Sequence, residues 1–216
     1  MRIACIGYRE WALKIYTNIQ KKSDHIFLNI KNFETYSDQI IKDFSPDLVM
    51  FYRWSWIVSK ELIENFTCLM LHPSPLPLYR GGSPIQNQII EGRKTSKVSI
   101  IIMTEELDAG PIVGQMDISL EGNISDIFQE LTEKGTFLTE DILENGLKPE
   151  EQDHKNATVY KRRKPEESEI TIEEIKTKSA EYLHNKIRML QDPYPNAYIK
   201  TSEGKRVYLT SSKTEN

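Results

Sequence analysis

Between Arg2 and Leu71 four short apolar runs alternate with three stretches spaced like helices. The runs, residues 2–8, 25–30, 48–52 and 67–71, are too short for typical helices. They are mostly apolar, and the last, 67–71, reads as a strand buried on both faces. Between them, Trp11, Leu13, Ile15, Tyr16 and Ile19 suggest a helix. Residues 37–44 suggest a second, which stops at Ser45-Pro46 because a residue before proline avoids the helical region. Residues 59–66 suggest a third, short one. Strands alternating with helices predict an α/β fold with a Rossmann-like, doubly wound and mostly parallel sheet.

Ser83 then reads as an N-cap, with Pro84 in the first helical position and Gln86 at capping-box spacing. Residues 98–103 and 112–118 are two more strands. Asn123 and Asp126 open a longer helix with Ile127, Phe128, Leu131, Leu138 and Ile142 on its apolar stripe, ending near Gly146. The polar stretch 150–156 reads as a linker, dividing a domain over 1–150 from a small C-terminal unit over 151–216. That unit is expected to hold one helix, from the capping box Thr171-Ile172-Glu173-Glu174 to Leu190, with Ile175, Leu183, Ile187 and Leu190 inward. A hairpin over 198–211 turns at Ser202-Glu203-Gly204.

A net charge of −4 gives no reason to expect a polyanionic partner, and nucleic acid is not expected. No apolar run approaches the roughly 20 residues that span a bilayer, so no membrane is expected and the chain reads as soluble and cytoplasmic. Cys5 and Cys68 fall in strand-like runs and read as small buried hydrophobes. His25, His154 and His184 have no Cys or His at ligand spacing, so no metal site is expected. The turn Gly7-Tyr8-Arg9-Glu10 lacks the spaced glycines of a dinucleotide fingerprint.

The chemistry concentrates after the fourth strand. His72-Pro73-Ser74 leads through Leu76-Pro77 to Tyr79-Arg80-Gly81-Gly82, and Leu107-Asp108-Ala109-Gly110 follows in the loop between the next two strands. A histidine at the end of such a strand sits where open α/β sheets place ligands, and it exchanges protons near neutral pH. Its bland alternative is a core histidine satisfied by backbone. Asp108, 36 residues later, either shapes its loop as an Asx turn or orients the imidazole and a water. Arg162 and Arg163 suit a solvated charge run or a phosphate cradle. Tyr194 and Tyr198 suit packing or stacking on a base.

The run from His72 to Gln86, together with Leu107-Asp108-Ala109-Gly110-Pro111-Ile112, resembles the two central motifs of the folate-dependent formyltransferases. Pro46-Asp47-Leu48 and Trp54-Ser55-Trp56-Ile57-Val58 resemble the strand and folate-pocket loop of that family. Two further segments, Tyr160 to Ser168 and Ile187 to Pro195, are similar to its sugar-modifying branch, and the resemblance covers residues 40–200.

It implies N10-formyltetrahydrofolate as co-substrate, attacked at its formyl carbon by an amine through a tetrahedral intermediate. His72 would manage charge and protons at the reacting centre, and Asp108 would position His72 and a relaying water. Trp54, Ile57, Val58, Leu71 and Glu105 would contact the folate; Arg80, Gln86, Arg162 and Tyr194 the acceptor. The expected acceptor is a nucleotide-linked amino sugar, on UDP before dTDP, because the C-terminal unit is short for tRNA and offers arginine and tyrosine. The short chain also resembles enzymes making a formylated pseudaminic acid precursor, and the family is commonly dimeric. Methionyl-tRNA and glycinamide ribonucleotide are the alternative acceptors, and a non-catalytic binding homologue is the alternative to an enzyme.

One departure stands out. The family carries Asn two residues before the histidine, where this chain has Met70, and a thioether donates no hydrogen bond. Gln86 and Asn87 are candidate replacements. Ser59 stands where the family often has proline.

Overall fold

The computed structural model describes residues 1–215. Its centre is a six-stranded sheet in which β1 (Arg2–Ile6), β2 (Ile26–Ile30), β3 (Leu48–Tyr52) and β4 (Cys68–His72) run parallel in the order β2-β1-β3-β4. The two-residue strand β5 (Arg80–Gly81) lies apart from it. Then β6 (Thr95–Ile102) and β7 (Ile112–Ser119) complete the sheet antiparallel, because a short loop joins them. The doubly wound, mostly parallel expectation holds.

Side chains alternate along the strands and feed two cores. Ile3 and Cys5, Leu48, Met50 and Tyr52, and Leu69 and Leu71 pack on one face with α1 (Glu10–Gln20). Ala4 and Ile6, Val49 and Phe51, and Cys68 pack on the other with Ile41 of α2 (Asp38–Phe44) and Leu62 of α3 (Lys60–Asn65). Ser37 and Ser59 cap the second and third helices through their side chains. Burial pushes both the Cys5 and Cys68 thiols up to about 12, as befits small hydrophobes rather than nucleophiles.

Helices α4 (Pro84–Ile90) and α5 (Ile124–Asn145) close the first core, and Asn123 and Asp126 open α5 as expected, the Asn123 amide donating to Asp126 Oδ2 at 2.8 Å. Ser83 departs from expectation. Its backbone is left-handed (φ 52°) and caps nothing; its hydroxyl instead accepts from the Arg163 amide at 3.1 Å.

Beyond residue 150 a two-residue strand β8 (Val159–Tyr160) pairs with β5. The expected single helix is two, α6 (Ile172–Thr177) and α7 (Ala180–Arg188), because Ser179 takes an extended conformation and caps the second. As a result Ile175 is exposed, while Ile187 and Leu190 join the first core. The hairpin follows as β9 (Ala197–Lys200) and β10 (Arg206–Leu209). Among the described residues no helix is long and apolar enough to cross a membrane.

Candidate active site

The strand order reverses beside β1: the chain goes first to β2 on one side, then to β3 on the other. Ligands bind at the carboxyl ends of strands at such a switch point. The loops there, after β1, β3 and β4, carry Tyr8 and Arg9, then residues 53–59, then His72.

His72 and Asp108 meet. His72 Nε2 donates to the Tyr79 carbonyl at 2.8 Å, and Nδ1 faces Asp108 Oδ2 at 3.4 Å. A carbonyl only accepts, so this contact fixes the proton on Nε2 and leaves Nδ1 toward the carboxylate. The Gly81 amide donates to the same Oδ2 at 2.7 Å. Both residues are more than nine-tenths buried. Asp108 reaches this position with a left-handed backbone, φ 52°, and Arg53, Tyr79 and Ser83 are also left-handed. A left-handed backbone at non-glycine residues beside a buried imidazole–carboxylate contact is the kind of strain that functional sites store.

The His72 loop has its carbonyls claimed from every side. Ser99 donates to Ser74 O, Gln88 to Pro73 O, Gln115 to Leu76 O and Asn87 to Gly82 O. Thr158 and Tyr160 accept from Arg80 and Gly82. Tyr79 and Tyr160 stack at 4.9 Å and share the two carboxylate oxygens of Glu91. Burial, then the hydrogen bond and charge of Glu91, push the Tyr160 phenol up to about 12. A Cβ on Gly82 would overlap the main chain of Arg162, which is why that approach needs glycine.

The other expected site residues separate. Arg80 is buried; its guanidinium holds Gln152 Oε1 at 3.1 and 2.7 Å and lies 3.6 Å from Glu106. These contacts tie Arg80 to the Asp108 loop through Gln152. The Leu71 side chain packs in the first core, against Gly135 of α5. Val58 is buried in the second core, whereas Ile57 is 96% exposed. Trp54 packs between Tyr36 and Trp56, with its indole N–H buried and unpartnered. Glu105 is exposed and paired with Lys60 at 2.7 Å.

Gln86 and Tyr194 come together, with Arg163 and Leu190, around a cavity of about 50 Å³. That is room for a water or two. Arg162 is elsewhere, its guanidinium 3.4 Å from Ser55 Oγ. Asn87 donates one amide hydrogen to Gly82 O at 2.9 Å. Met70 lies two residues before His72 in β4, so it shares that face, half-buried.

The residue that sequence reasoning missed is Gln152, in the stretch expected to be a polar linker. It is buried, takes two Arg80 donors, and gives its amide to the Asp108 and Gly110 carbonyls at 2.9 and 2.7 Å.

The Formyl transferase family profile matches residues 9–147. The chain belongs to the formyltransferase family. Its relatives include the methionyl-tRNA formyltransferase of Bacillus subtilis, 31% identical over 78% of this chain and 54% of the relative. The chain thus spans about half the length of the curated relatives it matches. A solved methionyl-tRNA formyltransferase from Clostridium thermocellum is 32% identical with a TM-score of 0.86 and covers 96% of both chains. A 4-N formyltransferase from Francisella tularensis superposes with a TM-score of 0.76 over 100% of this chain and 98% of that one; at 19% identity it shows the shared fold. The exclusion of nucleic acid as a partner is withdrawn, since formyltransferases named for methionyl-tRNA stand among the relatives.

Proposed function

We propose that this formyltransferase moves a formyl group from N10-formyltetrahydrofolate to the primary amine of a nucleotide-linked amino sugar. The observation that carries the transfer chemistry is the buried His72–Asp108 contact, with Nε2 pinned to Tyr79 and Nδ1 toward the carboxylate. The loop after β3, with Phe33 from the segment after β2, suits a flat heteroaromatic donor. Phe33 and Trp56 stack at 4.8 Å and are exposed, Ile57 projects into solvent, and the Trp54 indole N–H is unspent. When bound, the folate supplies an activated formyl carbon.

The rest falls to the protein. An amine that becomes an amide loses a proton, and a proton arriving at His72 Nδ1 would be shared with Asp108 Oδ2. The Gly81 amide keeps that carboxylate aimed. Proton management of this kind contributes roughly 10²–10⁴-fold to rate.

The sugar acceptor rests on the segments 160–168 and 187–195, which resemble the sugar-modifying branch, and on the overall charge of −4. A second reading, methionyl-tRNA as acceptor, rests on the names of relatives at 31% and 32% identity. Incubation with N10-formyltetrahydrofolate and a panel of UDP- and dTDP-linked amino sugars, beside methionyl-tRNA, separates the two by mass spectrometry. A formyl mass gain on a sugar supports the first reading; gain on methionyl-tRNA alone replaces it with the second. No gain on either contradicts both.

A further inference from the structure

Three arginines converge where the strand order reverses. Arg53 Nη1 lies 3.3 Å and Arg162 Nη2 3.4 Å from Ser55 Oγ, whose other partner is Tyr8 Oη at 2.6 Å. Arg9 lies over the Tyr8 ring at 5.4 Å, and its Nε is buried without an acceptor. Among the described residues none of the three has a carboxylate within 4.0 Å, although Arg80 and Arg163 do. Glu10, next to Arg9, is exposed and pairs with none of them. Concentrated like charge without a counter-charge is unfavourable unless a ligand supplies one.

The hydroxyl accounting points the same way. Ser55 Oγ has two lone pairs and one proton. With both lone pairs facing guanidiniums, its proton goes to Tyr8 Oη, so the Tyr8 O–H is left to donate outward. Burial alone would raise that phenol, but the Ser55 hydrogen bond and the charges of Arg53 and Arg9 outweigh it and hold it below its usual range.

We infer that Arg9, Arg53 and Arg162, with the Tyr8 hydroxyl, form a subsite for the phosphate or pyrophosphate of the formyl acceptor. Planar guanidiniums match phosphate oxygens in pairs, and three of them suit a multiply charged anion better than a single carboxylate. Arg53 and Ser55 flank Trp54, and Tyr8 packs on Trp54 and Trp56, so the assignment to the acceptor rather than the folate tail rests on Arg9 and Arg162. Arg9 follows β1, on the far side of β3 from β4 and the Glu105 loop, and Arg162 comes from the segment paired with the His72 loop. This deepens the transfer reading above and rests on it for the word acceptor.

The test is direct binding. Inorganic pyrophosphate and, separately, tetrahydrofolate are titrated by calorimetry into the wild type and into Arg9→Gln, Arg162→Gln and Arg53→Asn. Asn is chosen at 53 because it tolerates the left-handed backbone there. We expect the pyrophosphate Kd to rise about tenfold or more in each variant, with the tetrahydrofolate Kd within about twofold. Unchanged pyrophosphate binding in the variants overturns the subsite. So does an equal loss of tetrahydrofolate binding, which would assign the guanidiniums to the folate carboxylates. No turnover enters the readout: a failed formyl-transfer assay leaves the subsite standing, and intact transfer with unaltered pyrophosphate binding removes the subsite alone.

Discussion

At Asp108 a left-handed backbone, a glycine amide and an imidazole meet on one carboxylate. Asp108→Ala is expected to lower kcat by about 10²–10⁴-fold while far-UV circular dichroism and folate affinity are retained; undiminished turnover would remove Asp108 from the chemistry. Met70 makes the complementary case. It is half-buried on the face of His72, so Met70→Asn has access to the cleft and is expected to fold with stability within about 1 kcal/mol of wild type. An added oxyanion donor is worth about 100–1,000-fold in other systems, so kcat should rise. Loss of folding would show instead that the site has no room for an amide. At this scale the sequence was legible where a motif carried it: His72 and Asp108 do meet. It did not show the packing behind the motif: the Arg80 guanidinium is held by Gln152, and the Leu71 side chain lies in the first core.

Among the elements, the short pairing of β5 with β8 does most to define the site, and it left little trace in the sequence. Two-residue strands have no periodicity to detect, and Gln152 looked like any polar residue in a linker. Yet Gln152 joins Arg80 to the Asp108 loop through four hydrogen bonds. Gln152→Leu would leave a buried guanidinium and two carbonyls short of partners, at a cost of about 2–4 kcal/mol. That corresponds to a Tm lower by roughly 5–15 °C for a chain of this size, with kcat falling as well; a Tm unchanged within error would show that water replaces the amide without loss. The α6–α7 break was similarly hidden. Periodicity runs through Ile175 and Leu183, and only the competing cap at Ser179 divides them.

Over the whole molecule, the alternation of strands and helices fixed the layer order, because each parallel strand needs both faces covered. The antiparallel pair β6–β7 followed from the short connection that carries Asp108. The C-terminal region is tied to the first core by Ile187 and Leu190, and within it Lys186, almost fully buried, pairs with Glu174 at 2.7 Å and donates to the Glu169 carbonyl. Burial would raise the Glu174 carboxyl, but the Lys186 and Thr171 hydrogen bonds outweigh it and hold the carboxyl below its usual value. A carboxyl depressed by folding contributes stability above its unfolded pKa, about 4.3, and that contribution is lost as pH falls below this through the folded value. Glu174→Gln should therefore flatten the acid limb of the stability curve below about pH 4.3 and lower the Tm near neutrality, where Lys186 loses its counter-charge. A parallel acid limb in the variant would assign the acid sensitivity to another group.

The most direct measurement is formyl transfer itself, followed by mass spectrometry in wild type, His72→Ala and Asp108→Ala with N10-formyltetrahydrofolate and the acceptor panel. The chemistry assigned to His72 and Asp108 requires a formyl gain on an amine in wild type and near-complete loss in both variants, with all three chains folded. Transfer that survives in either variant, or a folded wild type that binds folate and formylates neither sugar nor methionyl-tRNA, would contradict it.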